Sequence, residues 1–236
     1  MCGAAAQPRP SLGTPYAKYV LFILLLVYVS NQWCRYLINY LYAVSDSDYD
    51  DDDSKNTVSI ADATGITDSQ YGILVGFGFS VLYVIVGMFM GRAADRHSRT
   101  LIIFWGLVIW NAATVGMGLA DNFGQLLASR LVLGVGEAFS APASYSLIAD
   151  YFPQEVRAQA NGIFAFGVYV GGGLGSMSIA MAQGIGWRPS CYTVAAFGFL
   201  LAVAVRTTIR EPPRKKEVAE KPLVAAGADR GGNNNE

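Results

Sequence analysis

Six separate apolar stretches, each long enough to cross a bilayer, punctuate this chain of 236 residues. They cover approximately residues 19–42, 69–90, 101–119, 124–150, 160–183 and 187–207. Roughly 20 apolar residues in a helix span about 30 Å of hydrocarbon. In that medium every backbone N–H and C=O must be satisfied within its own segment, so each stretch is expected to be a helix. The expected fold class is therefore an all-α membrane protein with six transmembrane helices. Pro189 sits near the start of the sixth stretch, where the first turn of a helix tolerates proline. Only 15% of residues are charged, against about 25% in soluble domains. A signal peptide is a poor account of the first stretch. Its apolar run continues through aromatic and polar residues to Tyr42 without a small-residue cleavage site.

Basic residues are distributed unevenly between the connections. On one side lie Arg9 and Lys18, then Arg92, Arg96 and Arg99, then Arg157, and finally Arg206, Arg210, Arg214, Lys215 and Lys216. The opposite side has only Lys55 and Arg188. This bias predicts that both termini are cytoplasmic. The acidic run at 46–53 then faces outward or into a lumen, as a solvated loop without EF-hand spacing. Residues 1–18 and 208–236, rich in Ala, Pro, Gly and Asn, read as disordered cytoplasmic ends around one membrane domain at 19–207. Thr67 followed by Gln70 has the spacing of a capping box that starts the second helix.

Glycines recur at small-xxx-small spacing in the second and fifth helices: Gly72 and Gly76, Gly87 and Gly91, and Gly167, Gly171 and Gly175. Such spacing lets helix backbones approach closely. The two helices are the middle members of two triplets, the pattern a three-plus-three inverted repeat produces. Neither Gly171-Gly172-Gly173-Leu174-Gly175 nor Gly134-Val135-Gly136 is followed by the Lys-Ser/Thr of a phosphate loop. The three cysteines are scattered, with no metal-ligand spacing, and the net charge of −1 suggests no nucleic-acid partner. No cofactor is implied.

Arg35, Arg130 and Glu137 are the ionisable residues inside the spans, and each costs a few kcal/mol or more unless paired or facing water. At 1.5 Å per residue, Arg35 lies roughly 24 Å above the start of its span and Arg130 roughly 9 Å below the outer end of its own. Both should therefore occupy the outer half of the membrane. Glu137 follows Arg130 by seven residues, two helical turns, on the same face. Two readings are open. The three residues line one polar cavity, with the arginines attracting an anion and Glu137 carrying a proton. Alternatively, the arginines snorkel to the outer interface and Glu137 pairs with a neighbour. Asn31, Gln32 and Tyr145 could add hydrogen bonds. The single histidine, His97, falls in a loop between spans, which argues against an intramembrane serine protease. No nucleophile–base pair points to an enzyme.

The run Gly91-Arg92-Ala93-Ala94-Asp95-Arg96-His97-Ser98-Arg99 resembles the signature between helices 2 and 3 of the major facilitator superfamily. Arg130-Leu131-Val132-Leu133-Gly134-Val135-Gly136-Glu137-Ala138 on the fourth helix is a second match. Ile148-Ala149-Asp150-Tyr151-Phe152 and Arg210-Glu211-Pro212-Pro213-Arg214 are most similar to Spinster-type lipid transporters within it. The resemblance runs from about Val20 to Arg214 and implies alternating access around a central cavity. It implies an amphiphilic anionic cargo such as a lysophospholipid or sphingolipid, in a plasma or endolysosomal membrane. It also implies cavity roles for Arg35, Arg130 and Glu137, and a gate formed by Gly91, Asp95, Arg96 and Arg99. Asp95 would meet a helix N-terminus and nearby arginines.

Two departures from the family pattern matter. Asn31-Gln32-Trp33-Cys34-Arg35 places Cys34 where the family commonly has a protonatable Asp. A thiol is mostly neutral at physiological pH and replaces a carboxylate poorly. Proton coupling would then rest on Glu137, and uniport is the alternative. The family also has twelve helices, so these six correspond to its N-terminal half. Either the chain is a truncated product, or it pairs with a second half or with another copy of itself. A transporter half is one expectation, and a non-transporting half that serves as an interaction or regulatory partner is the other.

Overall fold

The computed structural model describes residues 13–43 and 59–212, which form nine α-helices. They are α1 (Pro15–Ala43), α2 (Ile60–Thr64), α3 (Asp68–Val75), α4 (Phe77–Arg96), α5 (Arg99–Gly118), α6 (Phe123–Glu137), α7 (Ser140–Tyr151), α8 (Gln154–Ile185) and α9 (Trp187–Thr208). With α3–α4 and α6–α7 each counted as one interrupted span, six helices are long and apolar enough to cross a membrane. The acidic run at 46–53 and the tail beyond Pro212 lie outside the described residues.

Local chemistry sets the helix ends. α1 starts at Pro15, several residues before the apolar stretch. The Thr14 hydroxyl accepts from the Ala17 N–H at 3.3 Å, and proline is preorganised for the first helical position. The capping box on α3 forms as its spacing predicts, with Thr67 and Gln70 accepting from each other's backbone N–H. Ser98 and Asn122 cap α5 and α6 in the same way as Thr14 caps α1. Several helices outrun their apolar stretches, because helical hydrogen bonding does not stop where hydrocarbon ends.

Two spans are broken. Gly76 separates α3 from α4 with φ −86° and ψ −90°. Ala138 and Phe139 separate α6 from α7, and the Phe139 N–H turns back to the Gly136 carbonyl at 3.3 Å. Pro142 explains this second break: it has no N–H for the Ala138 carbonyl, and its ring crowds that carbonyl. Glu137 is therefore the last residue of α6, at the edge of a helix break.

The first span packs on the fifth (α1 on α8), the second on the fourth (α4 on α6), and the third on the sixth (α5 on α9). The first also meets the sixth, and the third meets the fourth. Exchanging spans one to three with four to six maps these pairings onto one another, as an inverted repeat requires. Gly167, Gly171 and Gly175 form the α1–α8 seam. A Cβ on Gly171 would stand 2.6 Å from the Gln32 Cβ and 2.7 Å from the Val29 carbonyl oxygen. Gly134 and Gly136 also serve packing, with a Cβ on Gly136 falling 2.6 Å from the Trp110 backbone nitrogen. The second span differs from expectation. Cβ atoms on Gly72, Gly87 and Gly91 would meet nothing within 4 Å, so these glycines face no neighbour among the described residues. The surrounding face of α4 exposes Phe77, Val84, Met88 and Phe89.

Candidate functional site

The three charges within the spans come together. The Arg35 Nε and Nη2 both donate to Glu137 Oε2, at 2.8 and 2.7 Å. Arg130 Nη2 donates to the Arg35 carbonyl oxygen at 3.1 Å. The equal depth inferred for the two arginines is thus realised as direct contact between α1 and α6. Arg130 and Glu137 are buried, at 2% and 1% exposure, whereas the Arg35 side chain keeps 24%. Glu137 pairs with Arg35 alone, so with Arg130 beside them the cluster holds one excess positive charge. Glu137 Oε1 and Arg130 Nε and Nη1 are buried without hydrogen-bond partners among the described residues. Unpaired charge and unsatisfied donors at this depth are costly, which makes the cluster a candidate site.

Aromatic side chains surround it. The Arg35 guanidinium lies over the rings of Phe79 and Tyr83 on α4, 4.6 and 4.8 Å from their centroids. Contacts of this kind hold a cation without neutralising it. Phe164 stacks on Tyr28 and meets Tyr145 edge-on. Sequence reading missed Phe79 and Tyr83. Their only signal is a four-residue spacing on one helix, which apolar helices also show for packing alone. Gln32 lies in the α1–α8 seam with its Oε1 unpartnered, and Trp33 donates to the Ser178 hydroxyl at 2.8 Å. Cys34 points away from the cluster, with its buried thiol 3.8 Å from Asn111 Oδ1 on α5.

A second cluster lies at the other end of the spans, on the side that carries both described chain ends. Arg99, the first residue of α5, is 2% exposed. It pairs with Asp150 at the end of α7 and, at 2.8 Å, with Glu211 beyond α9. Glu211 also occupies the N-terminus of α5, accepting from the backbone N–H of Arg99 and Thr100 at 3.2 and 3.0 Å. The Thr100 and Ser98 hydroxyls donate to it at 2.8 and 3.0 Å. Burial pushes the Glu211 carboxyl up, but the Thr100 N–H, the Arg99 guanidinium and the Thr100 hydroxyl outweigh it and hold the group at about 2. The Tyr16 hydroxyl donates to the Thr208 carbonyl and accepts from the Arg210 N–H, both at 2.9 Å. Tyr151 donates to the Arg210 carbonyl. Residues 208–212 are thus strapped across α1, α5 and α7, although the sequence reading assigned them to a disordered tail.

Of the four expected gate residues, Arg99 alone is locked in this cluster. Arg96 is exposed, Gly91 lies open on α4, and the Asp95 side chain is outside the described residues. The carboxylate at the N-terminus of α5 is that of Glu211. Asp150 and Glu211 both stand in motifs that carried the family resemblance, but their meeting at Arg99 is tertiary.

The Major Facilitator Superfamily model matches residues 24–229. The chain is similar to human protein spinster homolog 1, at 29% identity over 63% of this chain and 29% of that protein. It is also similar to the hexuronate transporter of Bacillus subtilis, at 27% identity over 71% of this chain and 39% of that protein. Among solved structures it is similar to a bacterial homolog of the human lysosomal transporter Spinster in an inward-facing and unoccupied conformation. The TM-score is 0.74 at 31% identity, covering 91% of this chain and 48% of that one. The chain spans about half the length of that structure and less of the two protein relatives. Six apolar helices in this packing, with both motif regions inside the match, place the chain in the Major Facilitator Superfamily as a Spinster-like member.

Proposed function

We propose that this chain works as one half of a Spinster-like transporter that moves an amphiphilic organic anion by alternating access. The Arg35–Glu137 pair beside Arg130 carries the reading: Glu137 pairs with Arg35, Arg130 donates to the Arg35 carbonyl, and the cation that reaches the surface is Arg35. Protonating Glu137 would release Arg35 to an incoming phosphate or carboxylate, while Phe79 and Tyr83 keep the guanidinium in place. Proton and anion would then be taken up together. A relative named for hexuronate transport supports an acidic cargo, and the aromatic surroundings of Arg35 suit an acyl chain. A second six-helix unit, from a longer chain, another chain or a second copy, would face the open side of α4 and complete the cavity. The basic side of the protein would be cytoplasmic, in a plasma or endolysosomal membrane.

Binding of lysophosphatidylglycerol by the purified protein in mild detergent tests the exchange. Binding should tighten as pH falls from 7.5 to 5.5, Arg35→Ala should weaken it at least tenfold, and Glu137→Gln should make it independent of pH. Equal binding by Arg35→Ala and the parent protein would refute the assignment. A second reading is a non-transporting half that acts as an interaction or regulatory partner of full-length transporters. A monomer that binds no anionic lysolipid would support that reading instead.

A further inference from the structure

The inverted-repeat pairing is not complete. The fifth and sixth spans pack together, but their counterparts α4 and α5 make almost no contact. On the flank of α5 a groove of about 440 Å³ opens, lined by His97 and Ser98 of the turn before α5, Leu101, Ile102, Trp105 and Ile109 of α5, and Phe139. That size falls in the range of about 300–1,000 Å³ typical of small-molecule sites. Four of these residues form one stripe of α5 at helical spacing, and Leu101 and Trp105 are 43% and 55% exposed. Phe139 enters from the break between α6 and α7, so the Pro142 kink shapes the inner wall.

The length and charge of the groove point to one occupant. From Ser98 to Ile109 the helix rises about 17 Å, close to the roughly 15 Å of hydrocarbon in one leaflet. The apolar wall is therefore as long as one acyl chain, and it ends at His97 and Ser98 on the side that carries both described chain ends. At that mouth Arg96 adjoins His97, with Arg92 one turn earlier on α4. Both arginines are exposed and form no ion pair among the described residues. Basic residues next to a transmembrane helix attract anionic lipid at about 1 kcal/mol each.

We propose that this groove binds an anionic phospholipid of the bilayer, with an acyl chain along Leu101, Trp105 and Ile109 and the headgroup on Arg96 and Arg92. Ser98 lines the groove and also donates to Glu211, so the mouth of the groove adjoins the Arg99–Asp150–Glu211 cluster. The site is separate from the Arg35–Glu137 pair. Its assignment to the cytoplasmic leaflet rests on the orientation proposed above.

Trp105 supplies the readout: Trp110 and Trp187 are buried and Trp33 is half-buried, and the difference from a Trp105→Phe variant isolates its signal. The full chain is reconstituted in symmetric vesicles at a fixed fraction of brominated lipid. The label is carried either by phosphatidylserine in a phosphatidylcholine background or by phosphatidylcholine in a phosphatidylserine background. Brominated phosphatidylserine should quench Trp105 at least threefold more effectively, and Arg92→Gln with Arg96→Gln should abolish the difference. Equal quenching by both labels, meaning bulk lipid wets the groove, would overturn the proposal. Quenching by neither, meaning a protein covers it, would do the same, as would a preference that survives the double substitution. Symmetric vesicles make this result independent of orientation, which tag accessibility of the two termini in cells tests separately.

Discussion

Glu211 shows how a single carboxylate can organise one end of a membrane domain. It neutralises Arg99, fills the N-terminus of α5 and anchors the segment that follows α9. Its carboxyl is held at about 2, below the ordinary value of about 4.3. A depressed carboxylate contributes stability above the unfolded value and loses it as pH falls through the folded one. The 208–212 strap should therefore remain docked at pH 5 and detach as pH drops from about 4 towards 2. Hydrogen exchange at the Arg99 and Thr100 amides would report this step, and Glu211→Gln should remove it. Arg35 and Glu137 stand out in the sequence because charge in an apolar helix is conspicuous. Their direct pairing was left open, since a helical wheel gives a face and a depth but not the neighbouring helix. Phe79 and Tyr83 were not legible, because aromatic residues are ordinary in such helices and acquire meaning only from the guanidinium above them.

Among the elements, the α1–α8 seam was the most readable. Gly167, Gly171 and Gly175 lie four residues apart and all meet α1; a Cβ would clash at Gly171 and Gly175 and fit tightly at Gly167. Gly171→Ala should destabilise the protein by about 1–3 kcal/mol through overpacking against Gln32 and Val29. Gly173→Ala meets nothing within 4 Å and should be neutral or slightly stabilising, since alanine favours helix by up to about 1 kcal/mol over glycine. Thermal unfolding in detergent separates the two, and equal midpoints would contradict the packing. The same spacing on the second span gave a different result, because small residues permit close approach without supplying the partner. The helix breaks were less visible still: Pro142 lies three residues beyond Phe139, so the kink falls upstream of the residue that causes it.

For the whole molecule, six spans and their superfamily membership were readable from hydropathy and two short motifs. The docked segment 208–212 was not, since Pro212 and the following residues have the composition of a loop. The α4–α5 gap was equally hidden, as it depends on which helices fail to touch. The packing leaves α4 with an apolar, glycine-bearing face towards no described neighbour, which fits a half that completes its cavity against a second six-helix unit. The central claim is that anion movement is coupled to the proton on Glu137. Its most direct test is uptake of lysophosphatidylglycerol into proteoliposomes carrying this chain, with and without an imposed pH gradient. The account predicts that the gradient accelerates uptake several-fold in the parent protein and has no effect in Glu137→Gln. A Glu137→Gln protein that transports with unchanged pH dependence would contradict it.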